Sequence, residues 1–325
     1  MYKNLLFFYC CCLTFVAPAQ NLLLNGDFEE YWECPDYWDQ LNRCKYVFNP
    51  CKISTPDYFN SCSNYISYFG YNIQPLHGQG FVAIVIGGAG ISDSTNKLAT
   101  YREYIQIKLS QPLKFGNEYK FSFFLKLRFT PNFNCFTTDR IGVKFVNEER
   151  VYDLYLWKIL NADWENPKGN IFINDNNWQK IEGSYTANGG EEWMIIGNFH
   201  NTFDFPYFVL DSSSICISNG DEIYVFLDAI EVSEMLALPN VFTPNNDGIN
   251  DLWHLNKIID AGYIFKELHI YNRWGNEIYR KSDVFFGWDG NCDGLPCSEG
   301  IYFVTVLFEK NNSIKKISGY ITLLR

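Results

Sequence analysis

Apolar and polar side chains alternate with a period of two along most of the chain. From Tyr119 to Phe129 the odd positions read Tyr119, Phe121, Phe123, Leu125, Leu127 and Phe129, while the even ones include Lys120, Ser122, Lys126 and Arg128. Side chains two apart share one face of a strand, so the pattern predicts a half-buried β-strand. Ile105, Ile107 and Leu109 alternate with Gln106 and Lys108, and Tyr302, Val304, Val306 and Phe308 mark one face of a further run. Only Asp153 to Trp164 has a helical look, and it is short. Many short strands separated by Gly, Asn and Pro turns predict an all-β chain built from sandwiches.

The strand pattern from Glu222 to Val232 ends shortly before Leu238-Pro239-Asn240, which opens a segment rich in turn residues. A domain boundary is expected there, giving a first domain over 20–235 and a second over 236–325. Within the first, residues 31–79 form an aromatic, cysteine-bearing excursion ahead of the next clear strand at Gly80–Ile86. A connection of that length must be stapled or functional.

A chain of 325 residues with 47% hydrophobic and 18% aromatic residues is long enough for two domains and far from a disordered composition. Its net charge of -11, with no Lys/Arg cluster, excludes nucleic acid as an expected partner. Lys3, the apolar run from Leu5 to Ala17 and the small residues of Ala17-Pro18-Ala19 read as a secretory signal peptide over residues 1–19. No apolar run reaches the length of a membrane-spanning helix, so an integral helical membrane protein is not expected.

Beyond the leader stand Cys34, Cys44, Cys51, Cys62, Cys135, Cys216, Cys292 and Cys297, an even set without a C-x-x-C. That favours disulfides over a zinc ribbon or a redox motif. Cys292 and Cys297 flank Gly294 and Pro296 in a tight loop suited to a local disulfide.

Leu238 to Leu255 reads LPNVFTPNNDGINDLWHL. Ile270-Tyr271-Asn272-Arg273-Trp274-Gly275-Asn276 follows, then Gly287-Trp288-Asp289-Gly290, Glu299-Gly300-Ile301-Tyr302 and Gly319 to Arg325. In this order the motifs resemble the gliding motility-associated C-terminal domain, the type B sorting domain of type IX secretion cargo. The resemblance implies a small immunoglobulin-like β-sandwich read by the outer-membrane type IX machinery. Asn246, Asp247, Gly248, Asn250, Asp251, Arg273, Trp274 and Gly275 carry its motif. Asn246-Asp247-Gly248 and Trp274-Gly275-Asn276 also make sense as plain turns.

Leu24-Asn25-Gly26-Asp27-Phe28-Glu29-Glu30 and, far downstream, Ile223 to Ile230 resemble the opening and closing strands of galactose-binding-like jelly rolls of the carbohydrate-binding-module type. Thr55-Pro56-Asp57-Tyr58-Phe59-Asn60-Ser61-Cys62, Tyr101-Arg102-Glu103-Tyr104-Ile105 and Gly189-Gly190-Glu191 look like the version found in surface proteins of gliding bacteria. The resemblance implies a structural Ca²⁺ where first and last strands meet, with Glu29 and Asp228 as ligands and Asp27 or Glu30 as helpers, although Ala229 stands where a second acid is usual. It also places Cys34 with Cys62 and Cys44 with Cys51 in a nested scheme, which leaves Cys135 for Cys216. Extracellular polysaccharide is the expected ligand class. Trp157, Trp164, Tyr152 and Tyr155 are concentrated enough to form a sugar-stacking platform.

The chain holds four histidines, His77, His200, His254 and His269, and no H-E-x-x-H, G-x-S-x-G or glycine-rich phosphate loop. No pair of acids is singled out for glycoside hydrolysis. The sequence therefore describes a secreted, non-enzymatic surface protein with a ligand-binding jelly roll. A glycan-active enzyme and a structural adhesin are the rivals.

Overall fold

The computed structural model describes residues 21–63, 73–89, 101–128, 136–154, 156–173, 177–200, 207–210, 221–236, 238–260, 262–292, 294–310 and 313–325. The expected leader, Phe129, Cys135, Tyr155 and Cys216 lie outside them. The chain divides into two compact units, Gln20–Met235 and Leu236–Arg325.

The first unit contains β1 (Val47–Phe48), β2 (Asp57–Asn60), β3 (Gly80–Ala89), β4 (Tyr104–Lys108), β5 (Glu118–Leu127), β6 (Phe136–Thr137), β7 (Gly142–Val146), β8 (Trp164–Glu165), β9 (Gln179–Thr186), β10 (Trp193–Gly197), β11 (Phe208–Val209) and β12 (Asp221–Glu234). Two antiparallel five-stranded sheets result, β2-β3-β12-β5-β9 and β1-β4-β10-β7-β8, with β6 and β11 pairing separately. The alternation explains how they close. Tyr119, Phe121, Phe123, Leu125 and Leu127 of β5 face a shared core with Ile105 and Ile107 of β4, Val143 of β7 and Val225 and Leu227 of β12. This is a jelly-roll β-sandwich.

Polar positions of the same strands are less exposed than alternation predicts. Gln106 is fully buried and Ser122 nearly so. The outer face of β4 and β10 lies under a second apolar cluster of Cys51, Tyr104, Leu156, Ile195 and Phe199. The helical look of 153–164 reduces there to one 3-10 turn, Leu156–Lys158, before β8.

The excursion is anchored from both sides, because β1 adds an edge strand to one sheet and β2 to the other. Cys34 and Cys62 are joined across it. Cys44 and Cys51 are not paired with each other, contrary to the nested scheme; both are free and buried. Cys44 belongs to the core between the sheets, with Asn25 Nδ2 3.3 Å from its sulfur, whereas Cys51 belongs to the outer cluster and donates to the Leu154 carbonyl at 3.3 Å. The two thiols serve different layers. The proposed Cys135–Cys216 pair falls outside the described residues.

The second unit contains β13 (Val241–Phe242), α1 (Asn256–Asp260), β14 (Ile264–Tyr271), β15 (Glu277–Lys281), β16 (Asn291–Cys292), β17 (Leu295–Pro296), β18 (Gly300–Lys310) and β19 (Ser313–Leu323). Its sheet runs β13-β19-β18-β14-β15, parallel only between β13 and β19. Tyr302, Val304, Val306 and Phe308 turn inward as their spacing predicts. The opposing layer is built from α1, Phe285 and a backbone bridge between Trp253 and Trp288. Both indoles are buried, and their N–H groups reach the Pro239 and Asn291 carbonyls. Cys292 and Cys297 are disulfide-bonded beside the β16–β17 ribbon.

Candidate functional site

Among the described residues no second sheet covers the outer face of β2-β3-β12-β5-β9. Phe59, Phe81, Ala83, Val85, Tyr224 and Phe226 pave it, and Trp38, Tyr101 and Trp178 pack along its border. At one end this floor opens into a cavity of about 250 Å³ lined by Trp38, Thr55, Asp57, Val85, Tyr101, Glu103, Arg128, Glu222 and Tyr224.

Strand geometry accounts for the acids in it. β2 pairs with β3 only as far as Asp57 opposite Ala83, which leaves the next outward edge of β3, at Val85, without a strand partner. Glu103 supplies one. Its backbone N–H donates to the Val85 carbonyl at 2.7 Å, and its Oε2 accepts the Val85 N–H at 2.9 Å. Glu103 Oε1 accepts from the Tyr101 hydroxyl at 2.8 Å and from the backbone and hydroxyl of Thr55 at 2.9 and 3.1 Å. Asp57 accepts the Asp39 N–H at 2.7 Å and the Tyr224 hydroxyl. Arg128 lies over the Tyr224 ring, 5.2 Å from its centroid.

Burial pushes the Asp57 carboxyl up to about 6, against the lowering pull of the Tyr224 hydroxyl. It pushes Glu103 up to about 7, where the Val85 N–H and Tyr101 hydroxyl oppose it and the Asp57 charge reinforces it. The Tyr101 and Tyr224 hydroxyls are raised as well, first by desolvation and then by these acids. The site is therefore a pocket of aromatic faces, fixed hydroxyls and proton-holding acids. The sequence contained its motifs, Thr55-Pro56-Asp57 and Tyr101-Arg102-Glu103, without revealing that they meet. The one local signal was the charged pair Arg102-Glu103 set between Tyr101 and Tyr104-Ile105.

The residues expected to hold calcium do come together, but around backbone. Glu29 Oε1 accepts the N–H groups of Gln79 and Gly80 at 2.6 and 2.8 Å. Asp228 Oδ2 accepts those of Leu76 and His77 at 2.7 and 3.2 Å, and Oδ1 that of Ala229 at 2.6 Å. Gly78, at φ +64°, lets the chain turn between the two carboxylates. Asp27 and Glu30 add no third ligand; among the described residues no group of three metal-binding side chains occurs. Glu29 Oε1 and both Asp228 oxygens face N–H donors, so the arrangement serves as a clamp on residues 76–80, and the two side chains fall short of the six to eight oxygens that calcium takes.

Of the expected sugar platform, the side chains of Trp164 and Tyr152 are described. Trp164 is half-buried and meets Phe121 edge-on at 5.2 Å between centroids, and Tyr152 packs against the outer cluster around Cys51. The side chains of Trp157 and Tyr155 lie outside the described residues. Trp164 and Tyr152 thus serve packing.

In the second unit the sorting motif forms exposed turns. Asp251 accepts the N–H groups of Asn246 and Gly248 at 2.7 and 2.8 Å, Asp247 accepts that of Ile249 at 2.8 Å, and Thr243 donates its N–H to the Asn250 carbonyl at 2.9 Å. Asn246, Gly248 and Asn250 all take positive φ. Arg273 lies over the Trp274 ring at 5.0 Å, and Trp274 stays 75% exposed ahead of Gly275, at φ +82°. Asp247 and Asp251 thus organise a surface loop by accepting its backbone N–H groups. Among the described residues no helix is long and apolar enough to cross a membrane.

Comparisons with known proteins reach the two units differently. Two distant structural similarities are the K1 cleaved adhesin domain of Lys-gingipain from Porphyromonas gingivalis W83 and the CBM22-1–GH10 modules of Clostridium thermocellum xylanase 10B. The first has 16% identity and a TM-score of 0.31, over 64% of this chain and 95% of that one. The second has 11% identity and a TM-score of 0.31, over 70% of this chain and 34% of that one. No curated protein matches the chain. Residues 236–323 match the family model of the CHU_C type IX secretion signal domain. The second unit is thus a type IX secretion signal domain, which implies that the chain is handled by type IX secretion machinery and exported to the cell surface or the extracellular space.

Proposed function

We propose that the first unit is the exported payload, a non-catalytic carbohydrate-binding sandwich whose ligand site is the pocket around Tyr101, Glu103, Asp57 and Tyr224. The observation that carries this reading is the coincidence of exposed-side aromatic faces with hydroxyls held by buried acids. A sugar ring lays its apolar face on an aromatic side chain, and its hydroxyls need fixed polar partners at the rim. Trp38 and Tyr101 supply the first, Thr55, Glu222 and Arg128 the second. A cavity of about 250 Å³ takes one ring of a chain rather than a long segment.

Binding is favoured over hydrolysis by the acids themselves. Every oxygen of Asp57 and Glu103 already accepts a hydrogen bond from the protein, so neither is held out toward a glycosidic bond as an acid or a nucleophile must be. Titration calorimetry of the full chain against a panel of soluble oligosaccharides tests the reading. At least one should bind, with Trp38→Ala and Tyr101→Ala each weakening it about tenfold, the scale of one lost aromatic contact. Binding that both variants leave unchanged, or release of reducing sugar, would overturn it.

A further inference from the structure

Resting on the reading of this pocket as a sugar site, we propose that it selects a cationic sugar, a hexosamine unit with a free amino group, over neutral and anionic ones. The charge around the cavity carries the inference. Asp57 comes from β2, Glu222 from β12, Glu103 from the segment entering β4, and Asp39 from the excursion, where its N–H caps Asp57. Against the three acids that line the cavity, Asp57, Glu103 and Glu222, stands one base among the described lining residues, Arg128, drawn onto the Tyr224 ring at the exit of β5. β3 contributes Val85 and no charge, and the remaining titratable groups are the hydroxyls of Tyr101 and Tyr224.

An acid-rich recess in a chain of net charge -11 attracts cations and repels carboxylated sugars. Its aromatic lining works in the same direction, because an ammonium group is drawn to the faces of Trp and Tyr that also accept a sugar ring. Neutral rings gain the stacking alone. Size agrees, since about 250 Å³ admits one such ring with its amino group.

The geometry also sets how the preference depends on pH. The two innermost acids lose their protons later than exposed acids do, because burial disfavours their charge and raises Asp57 to about 6 and Glu103 to about 7. A bound ammonium stabilises the ionised forms, so affinity for it should rise as pH passes upward through that range. A neutral sugar has no such coupling.

The test is calorimetry of the full chain at physiological salt with a glucosamine oligomer, its fully N-acetylated counterpart and an oligogalacturonate, each at pH 5 and pH 7. The expected result is tightest binding of the glucosamine oligomer at pH 7, about tenfold above the N-acetylated one, with the gap narrowing at pH 5 and in Glu103→Gln. Glu222→Gln gives the same reading should the buried variant fail to fold. Equal binding of the first two oligomers at both pH values would overturn the cationic preference and leave the sugar site standing. A preference for the oligogalacturonate would overturn it as well. Unchanged binding of the glucosamine oligomer to Trp38→Ala would show a diffuse charge effect and overturn both this proposal and the pocket's role.

Discussion

Glu103 carries hydrogen bonds from Val85, Thr55 and Tyr101 on one buried carboxyl, and burial raises it to about 7, well above an exposed glutamate. Asp57 and Asp228, raised to about 6 by desolvation, behave alike. An acid whose folded pKa lies above its unfolded value stabilises the fold below the unfolded value, and the contribution is lost as pH rises through the folded one. Thermal melts of the first unit should therefore lose stability between about pH 4 and 7, by about 1–3 kcal/mol per such acid. Glu103→Gln should flatten the slope, and a melting temperature that climbs steadily across that window would contradict the assignment. Cys44 and Cys51 give a second expectation at this scale. Desolvation raises both thiols, so neither is a ready nucleophile. Peptide mapping after alkylation should find them labelled only in denaturant. Their separation into two layers was invisible in the sequence, where only six positions lie between them.

At the scale of elements, the long strands were legible and the short ones were not. β5 and β18 repeat their period-two pattern over ten and eleven residues, enough to fix which face turns inward. β1, β8 and β11 have two residues each and exist because a neighbouring strand offers a partner. The excursion depends on such edges and on Cys34–Cys62, which closes a separation of 28 residues. Cys62→Ser should cost about 2–4 kcal/mol by restoring freedom to the unfolded chain, read as a lower denaturation midpoint with a steeper slope, because the expanded unfolded chain exposes more surface. The clamp on residues 76–80 was half legible. Sequence resemblance brought Glu29 and Asp228 to one place, but only the fold shows that five backbone N–H donors already occupy it. Asp228→Asn should destabilise the first unit by about 1–3 kcal/mol, the cost of leaving buried amides poorly paired. Chelator should leave the melting curve of the unaltered chain in place, and a drop on chelation would restore calcium to this corner.

For the whole molecule, the division into a payload and a sorting unit is a statement about destination. In a cell with intact type IX machinery, deletion of residues 236–325 should strand the remainder in the periplasm, and its appearance in the medium would refute the assigned role of the second unit. Within the payload, the strands that seal the sandwich come from opposite ends of the unit. Asn21 bonds both Ile230 and Val232 across more than two hundred positions, and the Leu22 and Ile230 amides complete the seam. Contacts this remote in sequence must wait for the largest possible loop to close, which slows folding. A nascent chain still lacking β12 has no central strand between β3 and β5 and cannot seal. The topology thus delays closure of the sandwich until the chain from Asp221 onward is available. Fragments ending before residue 221 should stay protease-sensitive where the complete unit resists.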